Sequence, residues 1–322
     1  MNSILVYVGL DLVGDGVMKL PFLASLRALY PKARITWLAG QGGTVYAGVL
    51  APLVSGLIDE VIDDAGIGVK ASELLRRPLK GRAFDLVIDT QRRVMTSLIL
   101  KRIKHQTFIS AAADWRFSDR LPLSGRHKRP SMLGQMMALL EAAAGLVPPV
   151  PPRLKIDKKL LTAAKRRLPD GPTYVGLAPG AGGKHKCWPL ERYIAVGEEL
   201  TAKGHQPVFF IGPAERQWEA AIRARLPNAL LPLADKDQPP VTIALASRLA
   251  AAVANDSGTG HMLAAGGVPL LSLFGPTAPE KFAPFTERLV IIRAQEYGGQ
   301  DMAAIPQSAV IGQLEKLLTS RS

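Results

Sequence analysis

The sequence predicts an α/β protein made of two parallel-sheet halves. Short apolar runs alternate along the chain with amphipathic helical stretches, the pattern of parallel α/β folds. The 322 residues are about twice the usual length of one domain. Near the middle, Val147-Pro148-Pro149-Val150-Pro151-Pro152 removes backbone donors and blocks helical turns, so the linker is expected there. The expected domains are residues 1–152 and 153–322.

Ile4 to Leu10 is almost wholly apolar and reads as a strand buried on both faces. The stretch DLVGDG reads as a loop, and Val17 to Leu29 as a helix with Pro21 near its start. Arg34 to Ala39 gives the next strand, completing a βαβ opening. Gly56 to Ile62 leads into a third strand, Phe84 to Asp89 is a core strand, and Val94 to Ile103 a helix. Thr107 to Ile109 is expected as a short strand and residues 131–146 as an amphipathic helix. Beyond the prolines, Thr173 to Ala178, Pro207 to Ile211, Leu230 to Leu233, Ala250 to Ala254 and Leu270 to Phe274 are strand candidates, with a helix over Leu190 to Lys203. Two such halves are expected to bind ligands in a cleft at the carboxyl ends of their strands.

Hydrophobic residues at 48% and charged residues at 21% are globular usage, which argues against extended disorder. The net charge is +13, and residues 70–130 hold 15 basic against 5 acidic side chains. Such a field suits nucleic acid, an acidic membrane surface or a phosphorylated glycolipid, or is a solvated basic face. The single cysteine, Cys187, forbids an intrachain disulfide and a Cys-rich zinc site. With no basic leader and no uncharged run of membrane-spanning length, the expected location is cytoplasmic.

Three glycine-containing segments each lie between a strand and a helix. In Ala254 to Ala265, Asp256 or Ser257 can cap the helix, Gly258 and Gly260 allow close backbone approach, and free amides favour an anion such as a diphosphate. A plain strand-to-helix turn would use the same residue types. In Leu177 to Leu190, three glycines with Lys184 and Lys186 suit phosphate contact, or form a surface loop with solvated lysines. This is not a Walker loop, because Ala178 replaces the first glycine and His185 the magnesium-binding hydroxyl. In Val13 to Pro21, Asp15 stands at the carboxyl end of the first strand, where a carboxylate can take a proton from an attacking hydroxyl; as a helix cap it would need no further role. The dinucleotide pattern G-x-G-x-x-G is absent from it, which disfavours a nicotinamide enzyme. Asp235-Lys236-Asp237 has the Asp-x-Asp form of a cation site, but lies in a polar loop beside Pro239-Pro240 and is discounted.

Together these segments resemble glycosyltransferase family 9, the bacterial lipopolysaccharide heptosyltransferases. The resemblance rests on Val13-Gly14-Asp15, Asp89-Thr90-Gln91, Lys186-Cys187-Trp188-Pro189, Asn255 to His261, and Gly275-Pro276-Thr277, in family order along nearly the whole chain. Arg92 departs from the family's glycine after Asp-x-Gln, and Ala181 and Gly182 replace hydroxyl residues in the phosphate loop. The resemblance implies a GT-B fold of two Rossmann-like domains, with acceptor on the N-terminal domain and donor on the C-terminal one. It also implies inverting chemistry without metal or other cofactor. Asp15 would be the general base, and Lys186 would neutralise the donor diphosphate. Asp256, Ser257 and Gly258 would hold sugar and phosphates, with Gly180 and Ala181 contributing backbone. His261 would support that loop or contact the donor, and Glu215 would meet the ribose. Gln91, Arg92 and Arg93 would face the acceptor. The implied partners are ADP-heptose and an anionic inner-core glycolipid at the inner membrane surface, and no nucleic acid. A different nucleotide-sugar donor, or an inactive nucleotide-sugar-binding module, is the competing expectation.

Overall fold

The computed structural model describes residues 1–149 and 154–319. The chain divides into two compact units, Met1–Pro152 and Arg153–Ser322. The part of the expected linker from Val150 to Pro152 lies outside the described residues, as does the domain boundary.

The first unit runs β1 (Ser3–Val8), α1 (Val13–Leu29), β2 (Arg34–Ala39), α2 (Ala51–Val54), β3 (Glu60–Ile62), β4 (Ala83–Asp89), α3 (Val94–Leu100), β5 (Lys104–Ser110) and α4 (Met132–Ala144). All five strands are parallel, in the order β3-β2-β1-β4-β5. On one face Leu5, Tyr7, Val87 and Phe108 pack with Leu100 of α3, while α1 and α4 pack against each other. Burial on both sides is what the near-continuous apolar character of β1 and β4 requires.

The second unit runs α5 (Lys158–Arg167), β6 (Tyr174–Ala178), α6 (Leu190–Ala202), β7 (Gln206–Phe209), α7 (Glu219–Arg225), α8 (Pro239–Ala246), β8 (Ala251–Asn255), α9 (Gly258–Ala265), β9 (Leu270–Phe274), α10 (Pro279–Phe282), β10 (Leu289–Arg293) and α11 (Gln307–Thr319). Its strands are also parallel, in the order β10-β9-β8-β6-β7. Alternation sorts the core. Val175, Leu177, Val253 and Leu273 pack with Tyr193, Ile194 and Leu314, whereas Tyr174, Ala178, Ala252 and Leu270 pack with α8 and α9.

Three expectations need correction. The first helix begins at Val13, so much of the expected loop DLVGDG is its first turn, and Pro21 lies inside it. Leu12 gives no side-chain cap, so the signal that normally marks such a start is missing. Leu230 to Leu233 is not a strand: Leu230 makes one isolated bridge to Val208, and Pro232 has no donor with which to extend it. β10 was not foreseen. Among the described residues, no helix is long and apolar enough to cross a membrane.

Candidate functional site

In each sheet the strand order reverses at one point: between β1 and β4 in the first unit, and between β6 and β8 in the second. The loops leaving the carboxyl ends of those strands form the crevice where doubly wound sheets bind ligands. The residues singled out from the sequence gather on these loops and in the first turns of the helices they open, four in the first unit and seven in the second; Glu215 of the second follows β7.

In the second unit the centre is Asn255-Asp256-Ser257, where β8 passes into α9. Asn255 is fully buried and uses both ends of its amide. Its Oδ1 accepts from the Trp188 backbone N–H and the Tyr193 hydroxyl, each at 3.1 Å, and its Nδ2 donates to the Pro179 carbonyl at 2.7 Å. One side chain therefore fixes both ends of the loop containing Gly180, Ala181 and Lys186 against β8. The Trp188 indole, also buried, donates to the Ile305 carbonyl at 3.0 Å and anchors that loop from its other side.

Lys186 Nζ meets Asp256 Oδ2 at 2.9 Å, and the Thr277 hydroxyl donates to the same oxygen at 2.6 Å. Asp256 is nearly buried, while Lys186 keeps 28% of its side chain exposed. The acid thus holds a cation whose side chain stays partly exposed. Ser257 is the cap of α9, its Oγ accepting from the Gly260 N–H at 3.2 Å, so of the two capping candidates it is Ser257 and not Asp256 that fills this place. Gly258 is the first helical residue, and buried His261 donates its backbone N–H to the Ser257 carbonyl. At Gly260 a Cβ would lie 3.0 Å from the Asn255 carbonyl oxygen, which explains the glycine by close approach.

Glu215 follows β7, and its carboxylate accepts from the Gly212 N–H at 3.0 Å. It lies against Gly180, where an added Cβ would come within 2.7 Å of its carboxyl carbon. Glu215, Gly180 and Ala181 therefore border one loop. Asp235 and Asp237 have other partners: Arg216 and Arg167 respectively.

In the first unit Asp15 occupies the first turn of α1, half-buried, where an acidic group complements the positive end of the helix. Gly16 beside it explains the tight packing, since a Cβ there would lie 2.5 Å from a Val45 methyl. Gln91 follows β4 and extends over Gly9, whose added Cβ would sit 3.3 Å from its Oε1. Asp89 anchors that turn by accepting from the Gln91 N–H and the hydroxyls of Ser97 and Ser110. Burial pushes its carboxyl up to about 6 despite those bonds. Arg93 donates to Gln41 Oε1 at 3.2 Å, and Arg92 is exposed.

Sequence reasoning missed three polar residues. Asn255 and Thr277 stood inside the recognised motifs, but their side-chain roles show only in the hydrogen bonds. Asp11, buried after β1, gave no signal except its position four residues before Asp15.

The sequence model of glycosyltransferase family 9 (heptosyltransferase) matches residues 73–306. The chain is 25% identical to lipopolysaccharide heptosyltransferase 3 of Escherichia coli, over 95% of this chain and 97% of that one. Among solved structures, a family 9 glycosyltransferase from Veillonella parvula superposes with a TM-score of 0.76 at 23% identity, covering 98% of this chain and 97% of that one. The E. coli heptosyltransferase WaaC, solved with ADP, superposes with a TM-score of 0.69 at 18% identity, covering 98% and 99%. These likenesses establish the fold as GT-B.

Proposed function

Because the chain belongs to glycosyltransferase family 9, the heptosyltransferases, we propose that it moves heptose from ADP-heptose onto an anionic inner-core glycolipid by one inverting, metal-independent displacement. The observation that carries this reading is the Lys186–Asp256–Thr277 cluster at the start of α9. A leaving diphosphate needs positive charge and preorganised donors, and a half-exposed lysine held beside helix amides offers both.

In this mechanism residues 153–322 bind the donor. Lys186 and the amides at Ser257 and Gly258 take up negative charge as the bond from the anomeric carbon to the diphosphate breaks. Asp256 orients Lys186. Gly180 and Ala181 offer backbone to the phosphates, Glu215 meets the ribose, and His261 supports the α9 loop. Residues 1–152 bind the acceptor. The acceptor hydroxyl attacks the anomeric carbon and gives its proton to Asp15, while Gln91, Arg92 and Arg93 hold the anionic glycolipid. One base acting opposite the leaving group inverts the anomeric centre. A glycolipid acceptor places the enzyme at the cytoplasmic face of the inner membrane, held peripherally by basic side chains.

The test is thermal stabilisation by a panel of nucleotides and nucleotide sugars, with chelator present. ADP or ADP-heptose at a hundred times its dissociation constant should stabilise by about 2.7 kcal/mol. Lys186→Ala should lose that selectively. Stabilisation by UDP or GDP sugars instead would replace the donor, and stabilisation by NAD(H) alone would overturn the reading.

A further inference from the structure

The loop from β1 to α1 carries a buried ion pair that the proposed transfer does not use. Asp11 follows β1, and its side chain is wholly buried. One carboxylate oxygen accepts from Trp37 Nε1 at 3.1 Å and from the Thr44 hydroxyl at 2.8 Å. The other is bonded to the ammonium of Lys19, a side chain only 14% exposed.

Lys19 lies on α1 four residues after Asp15. Acid followed by base at that spacing is the arrangement in which a helix brings opposite charges together. The ammonium nevertheless turns to Asp11, and the Asp15 carboxylate has no hydrogen bond or ion pair among the described residues.

We propose that Asp11 is a positioning residue that holds the Lys19 ammonium away from Asp15, keeping the Asp15 carboxylate open to an acceptor hydroxyl. This rests on the reading of Asp15 as the base. An ammonium on that carboxylate would stabilise its charged form and occupy its lone pairs, so basicity and access would fall together. A desolvated lysine that loses its acid must find another or move to water. Asp15 is one helical turn away. Asp63 is another carboxylate joined to this network, one of its oxygens already accepting from the Thr44 N–H at 2.6 Å.

Asp11→Asn tests this, since it keeps an acceptor for Trp37 and Thr44 and removes the charge. Its crystal structure should show Lys19 Nζ within hydrogen-bond reach of the Asp15 carboxylate. Turnover, read as ADP release from ADP-heptose with Kdo-lipid A, should fall by roughly tenfold or more in kcat. Adding Lys19→Met should restore most of it, which a purely structural role for Asp11 would not allow. If Lys19 remains at position 11, or moves to Asp63 or to solvent, the inference is overturned. A double variant as slow as the single one overturns it as well. Should Asp11→Asn be too unstable to crystallise, Asp11→Ser is read in the same way. Full turnover by Asp15→Asn would remove the base reading instead, leaving the position of Lys19 to be judged from the crystal structure alone.

Discussion

A carboxylate that accepts three hydrogen bonds would ordinarily ionise easily, yet burial dominates at Asp89 and raises its carboxyl to about 6. The folded state binds this proton more tightly than the unfolded chain, whose value is near 4, so this contribution to stability falls as pH rises from about 4 to about 6 and is constant above. Its full size is on the order of 3 kcal/mol. Urea unfolding should therefore give a wild-type advantage over Asp89→Asn that shrinks between pH 4 and pH 7, and a pH-independent difference would contradict the assignment. Asp15 carries a different expectation. Asp15→Asn should lower kcat by about 10²- to 10⁴-fold, the usual contribution of a positioned base, with little change in donor KM. Steady-state kinetics that leave kcat intact would place the base elsewhere.

Among the elements, β8 and α9 organise the second half, and the organiser is Asn255. Its amide ties the Pro179 carbonyl, the Trp188 N–H and the Tyr193 hydroxyl to the end of β8. Asn255→Ala would leave those groups without their partner in a dry interior, where each lost partner costs about 1–3 kcal/mol. We expect a melting temperature several degrees lower and a raised KM for the donor, because the loop bearing Lys186 loses its tether. A variant that melts earlier but keeps its donor KM would show that the loop is held without Asn255. The same elements show what the sequence reveals. β2 and β9 end where their apolar runs end, and the strand–glycine–helix turns at Pro179 and Asp256 fall where the residue types placed them. The start of α1 is hidden in the sequence because Gly14 and Gly16 resemble loop residues. Gly16 is there for packing against Val45, a reason that exists only in three dimensions. β10 escaped because its half-exposed residues follow the polar Thr286-Glu287-Arg288 and lack the continuous burial of a central strand. The hydrogen bonds of Asp11 were invisible for the same kind of reason, since Trp37 and Thr44 reach it from 26 and 33 residues away.

Taken over the whole molecule, charge is the property that composition alone reports, and it bears on where the enzyme works. The +13 net charge is concentrated in residues 70–130, which include α3. That helix exposes Val94, Met95 and Leu98, each at least 36% accessible, between Arg92 and Arg93 on one side and Lys101 and Arg102 on the other. Apolar side chains flanked by cations suit the boundary of an anionic bilayer, where each Lys or Arg near the surface contributes about 1 kcal/mol. The protein should therefore sediment with vesicles containing phosphatidylglycerol and not with neutral phosphatidylcholine vesicles. Raising salt from about 0.1 M to 1 M shortens the screening length from about 10 Å to 3 Å and should release most of it. Arg77 and Arg92 form no ion pair among the described residues, so reversing both to Glu should weaken vesicle binding while leaving the fold intact. Salt-resistant binding would assign the attachment to Val94, Met95 and Leu98 instead. No binding to either vesicle would mean that the basic surface is a solvated face that does not dock on a membrane, and would remove peripheral attachment from the proposed function.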